Sequence, residues 1–202
     1  MARKLFPVWA ALLKMPILLV VLIVVQTAMA QSNPPSAVAD KAAINQALHK
    51  TIVDEHTGFK VGKTTDGGGP TYVFFDPQCN HCLDLWQQAK PLNGKYQLTW
   101  VPVNLLGEKS LALGVALLES KTPGKLMDSK LKGPKATPSA KAAEVTREKV
   151  KANLALLKKL GFDSVPLVVR YDEKSKTFSA DLGSMTTAGL EDLLKIQNTP
   201  AN

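Results

Sequence analysis

The spacing of apolar and polar residues changes several times after position 70. Residues 71–75 (TYVFF) are a run of β-branched and aromatic residues between Gly-Pro and Asp-Pro, which predicts a short buried strand. The period then becomes helical from Asn80 to Lys90, and one face carries four apolar residues: Cys82, Leu85, Trp86 and Ala89. Residues 96–103 (YQLTWVPV) predict a second strand, which the helical crossover places parallel to the first.

The second half of the chain is predicted to be mostly helical before it returns to strands. The expected elements are helices at 109–120 and 140–161 around a loose insertion at 121–139, then strands at 165–171 and 177–183, and a last helix at 187–197. In the longer helix, Val150, Leu154 and Leu157 are expected to face inward. A polar turn joins the two strands, so we expect an antiparallel hairpin.

The residues before position 71 are predicted to contain a leader, a helix and a joint. Residues 1–30 combine three cations, an apolar run at 15–25 and the small residues AMA, which is typical of a secretory signal peptide with Gln31 as the first mature residue. An uncleaved anchor is the alternative, although the apolar run is short for a span of ~20 residues. Residues 31–70 are expected to form a helix, about 41–54, and a linker with a flexible glycine-rich joint. Either way, the pattern predicts a domain that works outside the cytoplasm, in the periplasm.

The charge of the mature chain is concentrated in one segment. Residues 31–202 carry 22 Lys and Arg against 17 Asp and Glu, and 121–151 alone hold nine cations and three acids. Basic patches can bind nucleic acid, but export argues against that partner. We interpret the segment as a solvated helical face, with attraction to anionic lipid or acidic clients as the alternative.

The only two cysteines, Cys79 and Cys82, form a C-x-x-C motif (CNHC) at the first strand-to-helix junction. In an oxidising compartment we expect them as a disulfide unless a reductant acts on them. As a structural bridge the pair would close a very short loop and add little stability, which favours redox chemistry. The order βαβ, helices, ββα with C-x-x-C in this place predicts an α/β, thioredoxin-like fold with a central mixed sheet and a helical insertion at about 107–160.

Val165-Pro166 opens the predicted third strand. A proline at the start of a core strand needs a structural reason. In thioredoxin-like folds that reason is a cis proline beside the cysteines, which shapes the substrate groove. A trans proline at a strand edge is the alternative.

Residues 72–91 (YVFFDPQCNHCLDLWQQAKP) resemble the catalytic segment of the periplasmic thiol:disulfide interchange proteins DsbG and DsbC, and DsbG most closely. The likeness continues to LKKLGFDSVPLVVRYDEKSKTFSADLG and covers about residues 71–197. The resemblance implies a domain at 71–198 that exchanges, isomerises or reduces disulfides, or rescues sulfenic acids, in exported client proteins. It also implies a membrane electron donor of the DsbD type that keeps the pair reduced, and no cofactor.

Three departures from this family affect the expected activity. About 40 residues separate the predicted cleavage site from the first strand, too few for the family's dimerisation domain, so we expect a monomer. Val165 stands where DsbG and DsbC have threonine, and both it and His81 resemble the disulfide oxidase DsbA. A DsbA-like oxidase, or a non-catalytic chaperone on the same fold, therefore stays open as an alternative.

The start of the helix predicts different roles for the two cysteines. Free N–H groups and the positive end of the helix dipole favour a thiolate at Cys79, the expected nucleophile, and Cys82 one turn later resolves the mixed disulfide. Asn80 and His81 are the expected tuning residues, His81 as a cation or donor near the Cys79 sulfur. Asp76-Pro77 is interpreted as a turn and helix entry rather than a catalytic group. Trp86 is expected in the core, and His49 and His56 on the surface.

Metal and haem chemistry fit the motif less well. Copper(I) favours thiolates, but two cysteines without a second ligand pair do not make a zinc site, so no metal site is predicted. Haem attachment needs CxxCH, and Leu83 follows Cys82. A thiol reductant for cytochrome maturation is a nearer rival, although Gln78 replaces the tryptophan that usually precedes the motif there.

Overall fold

The computed structural model describes residues 37–63, 69–129 and 140–195, without the side chains of 37–40 and 140–142. The predicted signal peptide, most of the glycine-rich joint and much of the loose insertion lie outside these residues. The chain divides into two compact units at residue 40, and the first contributes only the start of one helix to the described part. Everything below concerns the second unit.

Five strands and six α-helices follow one another along the described ranges. They are α1 (Ala37–Glu55), β1 (Phe59–Gly62), β2 (Thr71–Phe75), α2 (Asn80–Ala89), β3 (Gln97–Pro102), α3 (Glu108–Glu119), α4 (Pro123–Asp128), α5 (Ala140–Lys159), β4 (Leu167–Asp172), β5 (Thr177–Leu182) and α6 (Thr187–Lys195). A 3₁₀ turn, Lys90–Leu92, extends α2 through Pro91. None of the described helices is long and apolar enough to cross a membrane.

The strands form one mixed sheet in the order β1-β3-β2-β4-β5. Strands β2 and β3 are parallel, as the crossover through α2 predicts, and the other three pairings are antiparallel. The hairpin of β4 and β5 is the one predicted from the sequence. Strand β2 lies at the centre, so the loop that follows it opens at the middle of one sheet edge.

Alternation along β2 sends its side chains into two cores. Val73 and Phe75 pack on the face that carries the buried side of α2, together with Trp100 of β3. Tyr72 and Phe74 pack on the opposite face with residues of α1 and α5, among them Leu157. All five residues of β2 are buried, which explains why this strand reads as a continuous apolar run rather than an alternating one.

The predicted buried faces of the helices are confirmed. Cys82, Leu85, Trp86 and Ala89 of α2 are all buried. In α5, Val150 and Leu157 are fully buried and Leu154 is half-buried.

Strand β1 and helix α4 were not predicted. Strand β1 is an edge strand of four residues in the segment interpreted as a linker, and its pairing partner β3 lies about 40 residues later. Helix α4 lies in the segment interpreted as loose, where Pro123 starts it and Leu126 and Met127 are buried. Both elements are short, and contacts with distant residues stabilise them.

His49 and His56, predicted to be surface residues, are both partly exposed but make more contacts than a surface position implies. The His49 ring stacks on Tyr171, with 4.1 Å between ring centroids, and its side chain is 14% exposed. Burial lowers the pKa of His49 below its usual value. His56 is half-buried, and its Nδ1 lies 2.7 Å from the carbonyl oxygen of Ile52. The stacking of His49 on Tyr171 joins α1 to β4, and a pattern of charge and polarity in the sequence does not show such a contact.

The described cations of the basic segment belong mostly to helix surfaces. Arg147 contacts Glu108 and Glu144, and Lys151 contacts Glu148. Neighbouring carboxylates thus offset part of the positive charge of α5, as expected for a solvent-exposed helix face.

Candidate active site

The cysteine motif lies in the loop from β2 to α2 and in the first turn of that helix. Cys79 is the N-cap residue of α2, with extended φ and ψ of −75° and 119°. Its N–H donates to the Asp76 carbonyl at 3.0 Å, and its carbonyl accepts from the N–H groups of Cys82 and Leu83, each at 3.1 Å. The half-buried Cys79 side chain therefore stands at the positive end of the helix, where first-turn N–H groups lack helical acceptors.

Cys82 lies one turn further and is fully buried. Burial raises the pKa of the Cys82 thiol, and a hydrogen bond with the Cys79 side chain raises it further, whereas a backbone hydrogen bond with Asp76 lowers it. The two sulfurs are thus neighbours in different environments. Cys79 is the less buried of the two cysteines, and the raised pKa favours the thiol form of Cys82.

The Val165-Pro166 peptide bond is cis, as predicted from the sequence. The Cys79 Sγ lies 3.8 Å from the carbonyl oxygen of Val165, and Val165 is half-buried. On the other side, the Pro166 carbonyl accepts a hydrogen bond from the N–H of Gly183 at 2.8 Å. The fold therefore brings together residues that are 86 positions apart in the chain.

Asn80 and His81 differ from the other predicted site residues because both are exposed. Neither side chain makes a hydrogen bond or an ion pair with another described residue. They lie on the outer side of the first turn, where an incoming molecule can contact them.

Sequence reasoning missed a buried polar network beside the cysteines. Asp76 is fully buried; its Oδ1 accepts from the Gln78 N–H at 2.8 Å and from the Ser110 hydroxyl at 2.6 Å. Its Oδ2 accepts from the Leu106 N–H at 2.8 Å. The side-chain amide of Gln78 donates to the Ser110 Oγ at 2.7 Å. The turn role predicted for Asp76 agrees with its bond to Gln78, but its partners in and before α3 have no signal in the local sequence.

Trp86 is core, as predicted, and also anchors α2 to α4. Its ring is 2% exposed and lies edge-on to Trp100, at 4.9 Å between centroids. The Trp86 Nε1 donates to the Asp128 carboxylate at 2.9 Å, and Lys90 Nζ contacts the same oxygen at 2.9 Å. These two donors hold the pKa of Asp128 below its usual value.

Residues that hold metals do not gather at this site. Among the described ranges, no group of three or more His, Cys, Asp or Glu side chains lies close enough together to bind a metal ion.

Comparisons with known proteins give two kinds of similarity. No family model matches the chain. It is 34% identical over 102 residues to the thiol:disulfide interchange protein DsbG of Pseudomonas aeruginosa, covering 48% of this chain and 40% of that protein. It is also 34% identical over 118 residues to DsbG of Escherichia coli, covering 55% and 47%. The aligned part of the chain thus spans less than half the length of these relatives.

The architecture also matches a solved structure. A periplasmic thioredoxin-like protein from Salmonella enterica serovar Typhimurium superposes with a TM-score of 0.56 at 16% identity, covering 75% of this chain and 95% of that one. The predicted thioredoxin-like α/β fold is therefore confirmed, as is the similarity to DsbG.

Proposed function

We propose that this protein is an exported thiol:disulfide oxidoreductase whose redox pair is Cys79 and Cys82. The observation that carries the proposal is the contrast between the two thiols. Cys79 is half-buried at the start of α2, and Cys82 is fully buried with a raised pKa. The similarity of this chain to DsbG supports the same chemistry.

The proposed reaction begins with the Cys79 thiolate. It attacks one sulfur of a client disulfide, the client S–S bond breaks, and the released client thiolate takes a proton. Cys82 then loses its proton and attacks the Cys79 sulfur, which releases the second client thiol. The client gains two electrons and two protons, and the protein is left with the Cys79–Cys82 disulfide. With a client sulfenic acid, the first attack expels water instead.

The client is proposed to bind beside Val165 and Pro166. The Val165 carbonyl already lies near the Cys79 sulfur, so a client chain along this segment would present its own sulfur to Cys79. The exposed side chains of Asn80 and His81 border the same opening and are proposed to tune it.

The cellular setting is part of the proposal. The leader-like residues 1–30 support export to the periplasm, and a membrane electron donor of the DsbD type would reduce the Cys79–Cys82 disulfide. We propose a catalytic domain that includes β1, because this strand pairs with β3. We also propose that the protein is a monomer. Sedimentation at micromolar concentration should give the mass of one chain.

A DsbA-like oxidase is the second candidate, and one observation favours it. Valine precedes the cis proline, as in the DsbA proteins that the sequence resembles at this position. An oxidase would run the same exchange in the opposite direction and transfer the Cys79–Cys82 disulfide to client thiols.

The two candidates are tested by enzymatic assay and by redox equilibrium. Reduction of insulin and turnover of a scrambled client should both need the two cysteines, whereas a non-catalytic chaperone would show neither activity. The equilibrium of the Cys79–Cys82 pair with glutathione then gives the direction, because a poise near that of thioredoxin fits a reductant and one near that of DsbA fits an oxidase. Failure to form a reversible disulfide would refute the proposal.

A further inference from the structure

The first half of α1 is only lightly packed against the rest of the domain. No side chain between residues 41 and 51 is fully buried, and the first buried residue of the helix is Ile52. Polar and ring contacts with the hairpin of β4 and β5 come from Asn45 and His49. The Asn45 side-chain amide donates to the Lys176 carbonyl oxygen at 3.3 Å. The His49 ring stacks on Tyr171 with 7° between the ring planes, and so fastens this half of the helix to β4.

Two polar atoms of this contact are buried without a hydrogen-bond partner among the described residues. They are His49 Nε2 and Tyr171 Oη. Tyr171 is 1% exposed and the His49 side chain is 14% exposed. If the first half of α1 moved away from β4, both atoms could form hydrogen bonds with water. The docked helix is therefore stabilised by stacking and burial at the expense of two hydrogen bonds.

Protonation of His49 would add a charge and a second N–H to this buried ring. Burial lowers the pKa of His49, and this effect outweighs the attraction to the Glu173 carboxylate. Nδ1 lies 3.9 Å from Glu173, whose side chain is 58% exposed, so solvent screens the attraction on that side. On the other side of the ring, Nε2 faces no acceptor. The docked helix thus favours the neutral imidazole.

The other charges around the ring do not reverse this balance. Lys176, in the turn between β4 and β5, repels the protonated imidazole. Tyr171 is uncharged at neutral and acid pH. Lys50, which follows His49 in α1, pairs with Asp54 of the same helix.

We propose that the contact between His49 and Tyr171 is an acid-released latch for the first half of α1. At neutral pH the imidazole is uncharged and the helix stays docked on β4. Because the docked imidazole resists protonation, the undocked helix takes up the proton more readily. The stabilisation of the docked state is therefore lost as the pH falls below the usual histidine value of about 6.5. Ile52 and the sheet stay packed, and the latch does not depend on the proposed redox function.

Residue-resolved NMR of the full chain between pH 7.5 and 5 tests this inference. The His49 ring should titrate below about pH 6.5. The amide hydrogens of residues 45–49 should lose about tenfold in protection from exchange, after correction for the intrinsic pH dependence of exchange. That loss corresponds to one pKa unit between the docked and undocked helix. Protection of β2 should not change. A ring that titrates at or above pH 6.5, or constant protection of residues 45–49, would overturn the proposal.

Three variants distinguish a latch from a merely structural contact. His49→Phe keeps a ring on Tyr171 but takes up no proton, so the protection of residues 45–49 should become independent of pH. Lys176→Gln removes the repelling charge and should reduce the acid loss two- to threefold. Glu173→Gln removes the attracting charge and should increase it two- to threefold. Lys176 and Glu173 are about half-exposed and pair with each other, so both of these variants should fold. If His49→Phe does not fold, their opposite shifts decide.

His56→Gln is the matched control, because it removes the neighbouring histidine. Its Nδ1 lies 2.7 Å from the Ile52 carbonyl oxygen, and a glutamine amide can donate in its place. The acid loss of protection in residues 45–49 should persist in this variant. An acid loss that survives in His49→Phe, or equal shifts in Lys176→Gln and Glu173→Gln, would mean that another group releases the helix. A protein without a reversible disulfide would refute the proposed function and leave the latch untouched.

Discussion

Replacing Gly62 by alanine should force the end of β1 away from the backbone that precedes β3. Gly62 has a φ of +92°, and a Cβ on it would lie 2.1 Å from the Tyr96 carbonyl oxygen and 3.0 Å from that of Asn93. Both neighbours are backbone atoms, which cannot rotate away as a side chain can. A residue with a side chain at such a φ costs about 1–3 kcal/mol before any collision. We therefore expect Gly62→Ala to lower the free energy of unfolding by at least about 3 kcal/mol.

Two other glycines separate the cost of the positive φ from the cost of the backbone collision. Gly161 has a similar φ of +87° but nothing within 4 Å of its ideal Cβ, so Gly161→Ala should cost only the conformational term, about 1–2 kcal/mol. Gly94 has neither feature, and Gly94→Ala should stay within about 0.5 kcal/mol of the parent. The excess of Gly62→Ala over Gly161→Ala is the energy of the backbone collision.

Urea denaturation followed by far-ultraviolet circular dichroism measures all three variants. The midpoint should fall in the order Gly94→Ala, Gly161→Ala, Gly62→Ala. If β1 detaches instead of the whole domain losing stability, the Gly62→Ala protein will also show a smaller m value, because less surface remains to be exposed. Equal losses for Gly62→Ala and Gly161→Ala would refute the close contact with Tyr96, and with it the placement of β1 in the sheet.

Three further predictions concern the site and its support. Cys82→Ala should accumulate mixed disulfides with clients and Cys79→Ala none, as non-reducing electrophoresis would show; adducts from the Cys79→Ala protein alone would reverse the two roles. Val165→Thr adds a hydroxyl near the Cys79 sulfur and should move the glutathione equilibrium about tenfold toward the dithiol, a change of about 1.4 kcal/mol, whereas Val165→Ile should not move it. Asp128→Ala removes the acceptor of the Trp86 N–H and should lower the free energy of unfolding by about 1–2 kcal/mol, against less than about 0.5 kcal/mol for Asp128→Asn. Folding lowers the pKa of Asp128, so its charge stabilises the fold above about pH 4. This stabilisation disappears as the pH falls through the pKa of the folded state. The difference in free energy of unfolding between Asp128→Ala and the parent should therefore shrink only at acid pH.

The parts of the fold that the sequence predicts are those that local pattern determines. Strand β2 is predicted because five consecutive apolar residues lie between proline-containing turns, and α2 because its apolar residues recur at helical spacing. The cysteine motif identifies the junction between them. Its position then predicts the distant Val165-Pro166 pair, because the layout of the fold is regular.

The parts that the sequence does not predict depend on contacts between distant residues. Strand β1 is four residues long, and β3 and the ring of Phe75 hold it in place. Gly62 was the available sequence signal for the end of β1, because glycine is favoured where the backbone takes a positive φ. The bond between Asp76 and Ser110 joins residues 34 positions apart, and neither position shows a pattern that names the other.

The order of the strands has a consequence for motion. Strand β2 has hydrogen-bonded neighbours on both sides, while β1 and β5 each have one. Local opening in a protein begins where few contacts must break, which here means the two outer strands. The amide hydrogens of β2 should therefore exchange with solvent only when the whole domain unfolds. The loop that carries Cys79 starts from the most persistent strand of the sheet, so the distance from its sulfur to Val165 can hold while the edges open and close.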